Sequence, residues 1–208
     1  LSGKFITLEG GEGVGKSTQA RRLADALRAR GLDVVLTREP GGSDGAEAIR
    51  GLLLEGEGDR WSMPSEALLF AAARADHLAK TIRPAVQAGK WVVCDRFLDS
   101  SRAYQGIAGG LGDDNVLRLH AIGSGGVLPD RTLVLDLADE EAAARAHARD
   151  GGSSDRIGGR DPDFHAEVVA AFREFARQDP DRVRLVDASG SAEQVTERLL
   201  GQLADLLP

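Results

Sequence analysis

At 208 residues with 42% hydrophobic side chains, the chain has the size and composition of one folded domain, which excludes a disordered polymer. Its 33 acidic residues outnumber its 26 basic ones, for a formal net charge of −7, so no general nucleic-acid or anionic-membrane surface is expected. No apolar run approaches the roughly 20 residues that span a bilayer. The opening KFITLEGG reads as a strand rather than a signal peptide. Cys94 is the only cysteine, which leaves no intrachain disulfide and makes a reducing cytoplasm the expected setting. His77, His120, His147 and His165 show no metal-ligand spacing, so no zinc site is expected.

Short apolar runs alternate with helical patterns along the chain. KFITL (4–8), DVVLT (33–37), WVVC (91–94), RTLVLDL (131–137) and RVRLVD (182–187) read as strands, several with consecutive apolar residues, as in strands buried on both faces. Leu23 and Leu27 share one helix face, as do Val195, Leu199 and Leu203 near the end. This order predicts a single α/β domain over 1–208, with a five-stranded parallel sheet flanked by helices on both faces. Residues 64–89 read as a long helix, and ARDGGSSDRIGGRD, rich in Gly, Ser and Arg, as a mobile loop.

The first strand runs into GGEGVGKST. Gly10, Gly15, Lys16 and Ser17 fit the G-x-x-x-x-G-K-[ST] pattern between a strand and a helix. Such a loop turns backbone N–H groups toward phosphate, and the following helix adds its N-terminal dipole. Residues Gly10, Gly11, Glu12, Gly13, Val14, Gly15, Lys16, Ser17 and Thr18 are the candidate ATP cradle. Lys16 is placed to reach the β- and γ-phosphates and Ser17 to hold Mg²⁺. The cradle alone fits GTPases, motor ATPases and small-molecule kinases. The absence of an N-K-x-D guanine reader weakens the first, and Asp95-Arg96 after WVVC favours transfer to a bound acceptor.

Taken in order, LEGGEGVGKST (8–18), TREPGG (37–42), LLFAAARADH (68–77), Asp95-Arg96 leading to SSRAYQG (100–106), PDRTLVLDL (129–137), DRI (155–157) and VDAS (186–189) resemble the thymidylate kinases nearly end to end. The resemblance implies the P-loop nucleoside monophosphate kinase fold, transfer of the ATP γ-phosphoryl to dTMP, Mg²⁺ as cofactor, and a homodimer. It gives Arg38 and Arg96 to the acceptor phosphate, Phe70 to stacking on thymine, and Arg74, Gln105 and one of Ser100 and Ser101 to the base. Tyr104 lies by the sugar, disfavouring a 2′-hydroxyl, and Asp95 is an outer-sphere Mg²⁺ partner. The residue chemistry is compatible: guanidinium forks match phosphate oxygens, and an aromatic ring and a cation four residues apart share a helix face. Another nucleoside or nucleotide kinase, or a non-catalytic nucleotide-binding regulator, are the alternatives. The Phe70/Arg74 and Tyr104/Gln105 pairs weigh against the first, and intact Lys16, Ser17, Asp95 and Arg96 against the second.

Glu12 is anomalous inside a phosphate cradle. A carboxylate about 6 Å from a phosphate charge costs roughly 3 kcal/mol at an effective dielectric of 20. The resemblance accounts for it by placing this acid on the 3′-hydroxyl of the acceptor sugar. The loop has no arginine between Gly10 and Lys16. The resemblance is therefore to the bacterial arrangement, in which arginines of a lid, here about 148–160, close over the γ-phosphate. Of Arg145, Arg149, Arg156 and Arg160, the favoured pair is Arg149 and Arg156. The lid departs from the family's pattern at His147, at Gly158 and in its GGSS extension, and the next helix does so at Val169 and Phe172.

Overall fold

A computed structural model describes residues 3–56, 60–150 and 156–208; the side chains at 146, 147, 149 and 150 lie outside that description. Five strands, β1 (Phe5–Glu9), β2 (Val34–Arg38), β3 (Trp91–Asp95), β4 (Arg131–Asp136) and β5 (Val183–Asp187), form one parallel sheet in the order β2-β3-β1-β4-β5. The expected strands and their parallel pairing are therefore present, each displaced by no more than a residue. Burial follows position in the sheet. The inner strands β1, β3 and β4 are buried almost throughout, whereas β2 and β5, at the edges, alternate between covered and solvated residues. This is why the inner strands read as continuous apolar runs.

Two helical layers cover the sheet. On one face, Ile6, Leu8, Val93 and Leu133 pack with Leu23 and Leu27 of α1 (Lys16–Arg28) and with Val195 and Leu199 of α9 (Ala192–Gly201). On the other face, Phe5, Val92 and Cys94 meet Leu78, Ile82, Phe97 and Val116. The Cys94 thiol is fully buried, and burial, followed by the nearby carboxylates Glu39, Asp95 and Glu9, pushes its pKa well above the ordinary thiol range. Helices α2 (Asp44–Leu54), α3 (Met63–His77), α6 (Asp113–Ser124), α7 (Asp139–Asp150) and α8 (Pro162–Gln178) complete the main layers. The helix expected over 64–89 is continuous but not uniform. A π-helical turn, Leu78–Ile82, separates α3 from α4 (Arg83–Gln87). Pro84 has no N–H to donate and crowds the carbonyl four residues back, and a widened turn relieves both. The expected loop over 148–160 is also revised: α7 continues to Asp150 before the segment that lies outside the described residues.

After β3 the chain forms α5 (Leu98–Ser101) and a π-helical turn, Arg102–Ala108. Asp99 anchors this region from beneath. Its Oδ2 accepts from Arg182 Nη1 (2.6 Å) and Thr132 Oγ1 (3.1 Å), and its Oδ1 accepts from Arg102 Nη1 (2.9 Å). Burial alone would raise the carboxyl, but Arg182 and Arg102 outweigh it and hold its pKa below the ordinary value. A buried carboxylate with two guanidinium partners is costly to disrupt from one side. Asp99→Asn is expected to lower unfolding stability by about 3 kcal/mol at neutral pH. Urea titration should show a reduced midpoint with the slope unchanged. Because the native pKa is depressed, this contribution is complete above the unfolded carboxylate pKa and fades as pH falls through the native value. The gap between variant and wild type should therefore narrow in acid.

Candidate active site

The carboxyl ends of β1 and β3 adjoin at the centre of the sheet, where successive connections depart to opposite sides. From β1 the chain enters the phosphate-loop sequence. Gly10, Gly13 and Gly15 have φ of +135°, +75° and +92°, values that an L side chain rarely adopts. At Gly10 a Cβ would also stand 2.5 Å from the Leu135 carbonyl oxygen. Whereas α2, α3, α8 and α9 begin on side-chain caps, α1 begins on Gly15 with none. Its first N–H groups are thus directed at the loop, the arrangement that receives an anion. Lys16 is nearly buried, and its Nζ donates to the Gly11 carbonyl (2.5 Å). Burial and the nearby Arg96 bring its ammonium down to about 8. Ser17 Oγ donates to Asp95 Oδ2 (2.5 Å), which joins a hydroxyl on α1 to a carboxylate at the end of β3. These two hard oxygen donors beside a phosphate cradle suit Mg²⁺.

Arg96 takes φ +70°, the one described non-glycine residue with positive φ. Its backbone N–H donates to the Leu8 carbonyl (2.9 Å), which extends the β1–β3 register by one bond while the chain turns. That turn aims the guanidinium back toward the loop. Nη2 reaches Glu12 Oε1 (2.5 Å) and Tyr104 Oη (3.3 Å), and Nη1 reaches Ser100 Oγ (3.1 Å) and the Gly10 carbonyl (3.3 Å). Tyr104 in turn donates to Glu12 Oε1 (3.0 Å). The phosphate-loop acid therefore faces Arg96 and Tyr104. Burial, aided by the Glu12 carboxylate and opposed by the Arg96 guanidinium, pushes the phenol of Tyr104 above its ordinary range.

Beneath this node lies a residue that the sequence reading passed over. Glu9 is fully buried, accepts from the Phe97 N–H (2.8 Å) and Ser100 Oγ (2.5 Å), and is pushed up to about 8 by burial and by Asp99. It braces the turn that carries Arg96. An acid closing a largely apolar strand was the available signal.

The TREPGG segment also works through its acid. Glu39, followed by a cis bond to Pro40, is buried and accepts from Arg74 Nε (2.8 Å), while His77 Nδ1 lies 3.0 Å from its other oxygen. Arg74 Nη2 also donates to Ser101 Oγ (2.8 Å) and the Phe97 carbonyl (3.1 Å). Arg38, on the cavity rim, bridges Glu47 at 3.1 and 3.2 Å. Together these elements enclose a cavity of about 880 Å³ that extends from Lys16 and Ser17 past Arg96 to Phe70, Arg74 and Gln105. Its volume and mixed lining suit two phosphorylated ligands side by side.

Comparison with known proteins identifies the family that builds such a cavity. The family model described as "Thymidylate kinase" matches residues 8–199. A thymidylate kinase of Rhizorhabdus wittichii is 66% identical over 208 residues, covering all of both chains. One of Caulobacter vibrioides is 50% identical over 194 residues, 93% of this chain and 92% of that one. The crystal structure of thymidylate kinase from Ehrlichia chaffeensis superposes with a TM-score of 0.80 at 31% identity, covering 98% of this chain and all of the other. The chain belongs to the thymidylate kinase family.

Against the family's pattern, the lid arginines divide. The side chain of Arg149 lies outside the described residues. Arg156 does not line the cavity. It is buried, pairs through Nη2 with Glu66, and donates from Nε to the Leu53 carbonyl (2.9 Å). Arg160 Nη2 meets the same Glu66 oxygen at 2.7 Å. Glu66 is itself fully buried, and a lone carboxylate there would be severely destabilising, which accounts for the pull on Arg156. Arg145 lines the cavity and donates to the Ala188 carbonyl (3.3 Å) and Glu141 (2.6 Å). At Gly11 a Cβ would stand 2.9 Å from Val169, one of the departures noted in the helix after the lid.

The glycines give a comparative test. Gly15 has no atom within 4 Å of a built Cβ, so Gly15→Ala carries only the backbone penalty, while Gly10→Ala adds the Leu135 clash. Both should destabilise by more than about 1 kcal/mol. Gly10→Ala should have the lower melting temperature of the two, measured by calorimetry.

Proposed function

We infer that this chain transfers the γ-phosphoryl group of ATP to dTMP, giving ADP and dTDP and supplying dTTP synthesis, with the cavity divided between donor and acceptor. The observation that carries this reading is the single cavity joining the Lys16–Ser17 cradle to the Phe70, Arg74 and Gln105 wall, with Arg96 between them. ATP rests on residues 10–18. Lys16 exchanges its bond to the Gly11 carbonyl for the β- and γ-phosphates. Ser17 and Asp95 would hold Mg²⁺, which when bound neutralises phosphate charge.

At the acceptor end, Phe70 stacks on the base, while Arg74, Gln105 and Ser101 or Ser100 meet its polar edge. Glu12 receives the sugar hydroxyl, with Tyr104 beside it. Arg96, joined by Arg38 from the rim, holds the acceptor phosphate. An oxygen of that phosphate forms the new bond to Pγ as the bond from Pγ to the β–γ bridging oxygen breaks and ADP leaves. The nucleophile is already anionic, so no general base is needed; alignment and charge neutralisation supply the rate. Arg149, in the last turn of α7 where the proposed lid begins, meets the transferring group. Arg156 supports it by seating the lid through Glu66, a positional role in place of direct contact with the γ-phosphate.

We take residues 1–208 as one catalytic unit that works in the cytoplasm as a homodimer. No helix among the described residues is long and apolar enough to cross a membrane. Leu68 and Ile122, exposed on the mutually packed α3 and α6, offer an apolar contact for a second copy. Sedimentation equilibrium should give twice the chain mass, and Ile122→Glu should shift it toward the single chain; a wild-type monomer at micromolar concentration rejects the dimer.

The reaction is tested by ADP release from Mg-ATP with dTMP, dUMP, dCMP, dGMP, UMP and thymidine as separate acceptors. Strong activity with dTMP and weaker activity with dUMP are expected. Preferential use of thymidine or another monophosphate would overturn the acceptor assignment. In the same assay Arg149→Ala should depress kcat by at least about tenfold with little change in the KM for dTMP.

A further inference from the structure

Glu66, Phe70 and Arg74 follow one another at four-residue intervals along α3, so all three lie on one face of the helix. Phe70 and Arg74 line the cavity; Glu66 is one turn further back and fully buried. Its two oxygens are used differently. Oε2 takes the arginines at the base of the lid, Arg156 and Arg160, and Oε1 takes Gln105 Nε2 at 2.9 Å. As the partner of two guanidinium groups, the carboxylate can only accept hydrogen bonds. Gln105 must then present its NH₂ to Glu66, since its carbonyl cannot face an acceptor. The amide is thereby oriented by chemistry. Gln105 Oε1 takes no hydrogen bond from any described residue, and Gln105 lines the cavity.

We propose that Glu66 is a positioning residue for base selection: it locks the Gln105 amide with the carbonyl toward the cavity, so that the site accepts a pyrimidine with N–H at ring position 3 and rejects one with an unprotonated ring nitrogen there. This deepens the reading of the cavity as a dTMP site. Thymine and uracil carry that N–H; cytosine has a lone pair in its place, which would oppose the Gln105 carbonyl. A Gln105 amide free to rotate could serve either base by turning over, so discrimination depends on the lock. The carboxylate that sets it is held by Arg156 and Arg160, which makes base selection share an anchor with the lid.

The test is the ratio of dCMP to dTMP dissociation constants, measured by calorimetry on the full chain without ATP, together with kcat and KM for both acceptors. Wild type should bind dTMP at least tenfold more tightly than dCMP. Glu66→Gln, which can offer either a donor or an acceptor to Gln105, should shrink that ratio at least fivefold, with the loss for dTMP in Kd and KM more than in kcat. Glu66→Asp keeps an acceptor-only group and should retain more of the discrimination than Glu66→Gln. Equal loss of affinity for both nucleotides in Glu66→Gln, or an Asp variant no more selective than the Gln variant, would overturn the lock. If Glu66→Gln does not fold, wild type decides with dTMP methylated at ring position 3, which should bind at least tenfold more weakly than dTMP; equal binding overturns the proposal. A wild type that binds dTMP selectively but forms no dTDP would defeat the kinase reading and leave this inference standing.

Discussion

The contact between Arg96 and Glu12 joins the two halves of the molecule's chemistry. One partner belongs to the phosphate loop after β1, the other to the turn after β3, and the two strands are hydrogen-bonded neighbours. A left-handed backbone for a residue as bulky as arginine is disfavoured by of order 1 kcal/mol or more, and it persists because the surroundings fix it on several sides. The Leu8 carbonyl holds its N–H, Glu9 holds the next residue and Ser100, and Glu12, Tyr104 and Gly10 hold the guanidinium. The negative charge in the anion cradle is therefore matched by a cation from the end of the neighbouring strand. Both groups are held by the protein's own contacts, the kind of fixed geometry that leaves little reorganisation for a reaction.

A second feature recurs around the acceptor end of the cavity: buried carboxylates support the residues that line it. Glu9 braces the turn after β3, Glu39 ties Arg74 and His77 to the segment after β2, Glu66 collects Arg156, Arg160 and Gln105, and Asp99 fastens the floor. Buried charges add little net stability compared with well-packed apolar groups, and their partners must be placed accurately. Here Glu9 and Asp99 fix the turn that carries Ser100 and Ser101, Glu39 fixes the Arg74 guanidinium and Glu66 the Gln105 amide, all of which border the cavity. The geometry suits a site in which distance and direction, rather than a reactive side chain, supply the rate.

The sheet was legible because the inner strands are covered on both sides and carry few polar residues, each of them partnered, so their apolar runs stand out against the helical periodicity. The phosphate loop was legible because Gly10, Gly13 and Gly15 need positive φ, a requirement written directly into residue type. The acceptor residues could be read only through family resemblance: Phe70 and Arg74 suggest a shared face, but nothing in their spacing names a pyrimidine. The buried acids stayed hidden because a glutamate in a helix or at a strand end looks solvated until its partners, often dozens of residues away in the chain, are known. Glu66 shows how this misleads a lid assignment. Arg156 reads as a cation in a glycine-rich loop, and only the carboxylate on α3 reveals where it is drawn. The π-helical turn before Pro84 was hinted at by the proline alone.

Cys94 lies near the carboxyl end of β3, wholly enclosed, with burial and surrounding acids disfavouring its thiolate. Thiolates, not thiols, are the form that reacts, so in the native protein this sulfur is shielded both sterically and electrostatically. As the chain has no other cysteine, alkylation by a small electrophile reports on opening of the central sheet and on nothing at the surface. The molecule thus carries its own single-site clock for unfolding, one that a tightly bound nucleotide bridging β1 and β3 would slow.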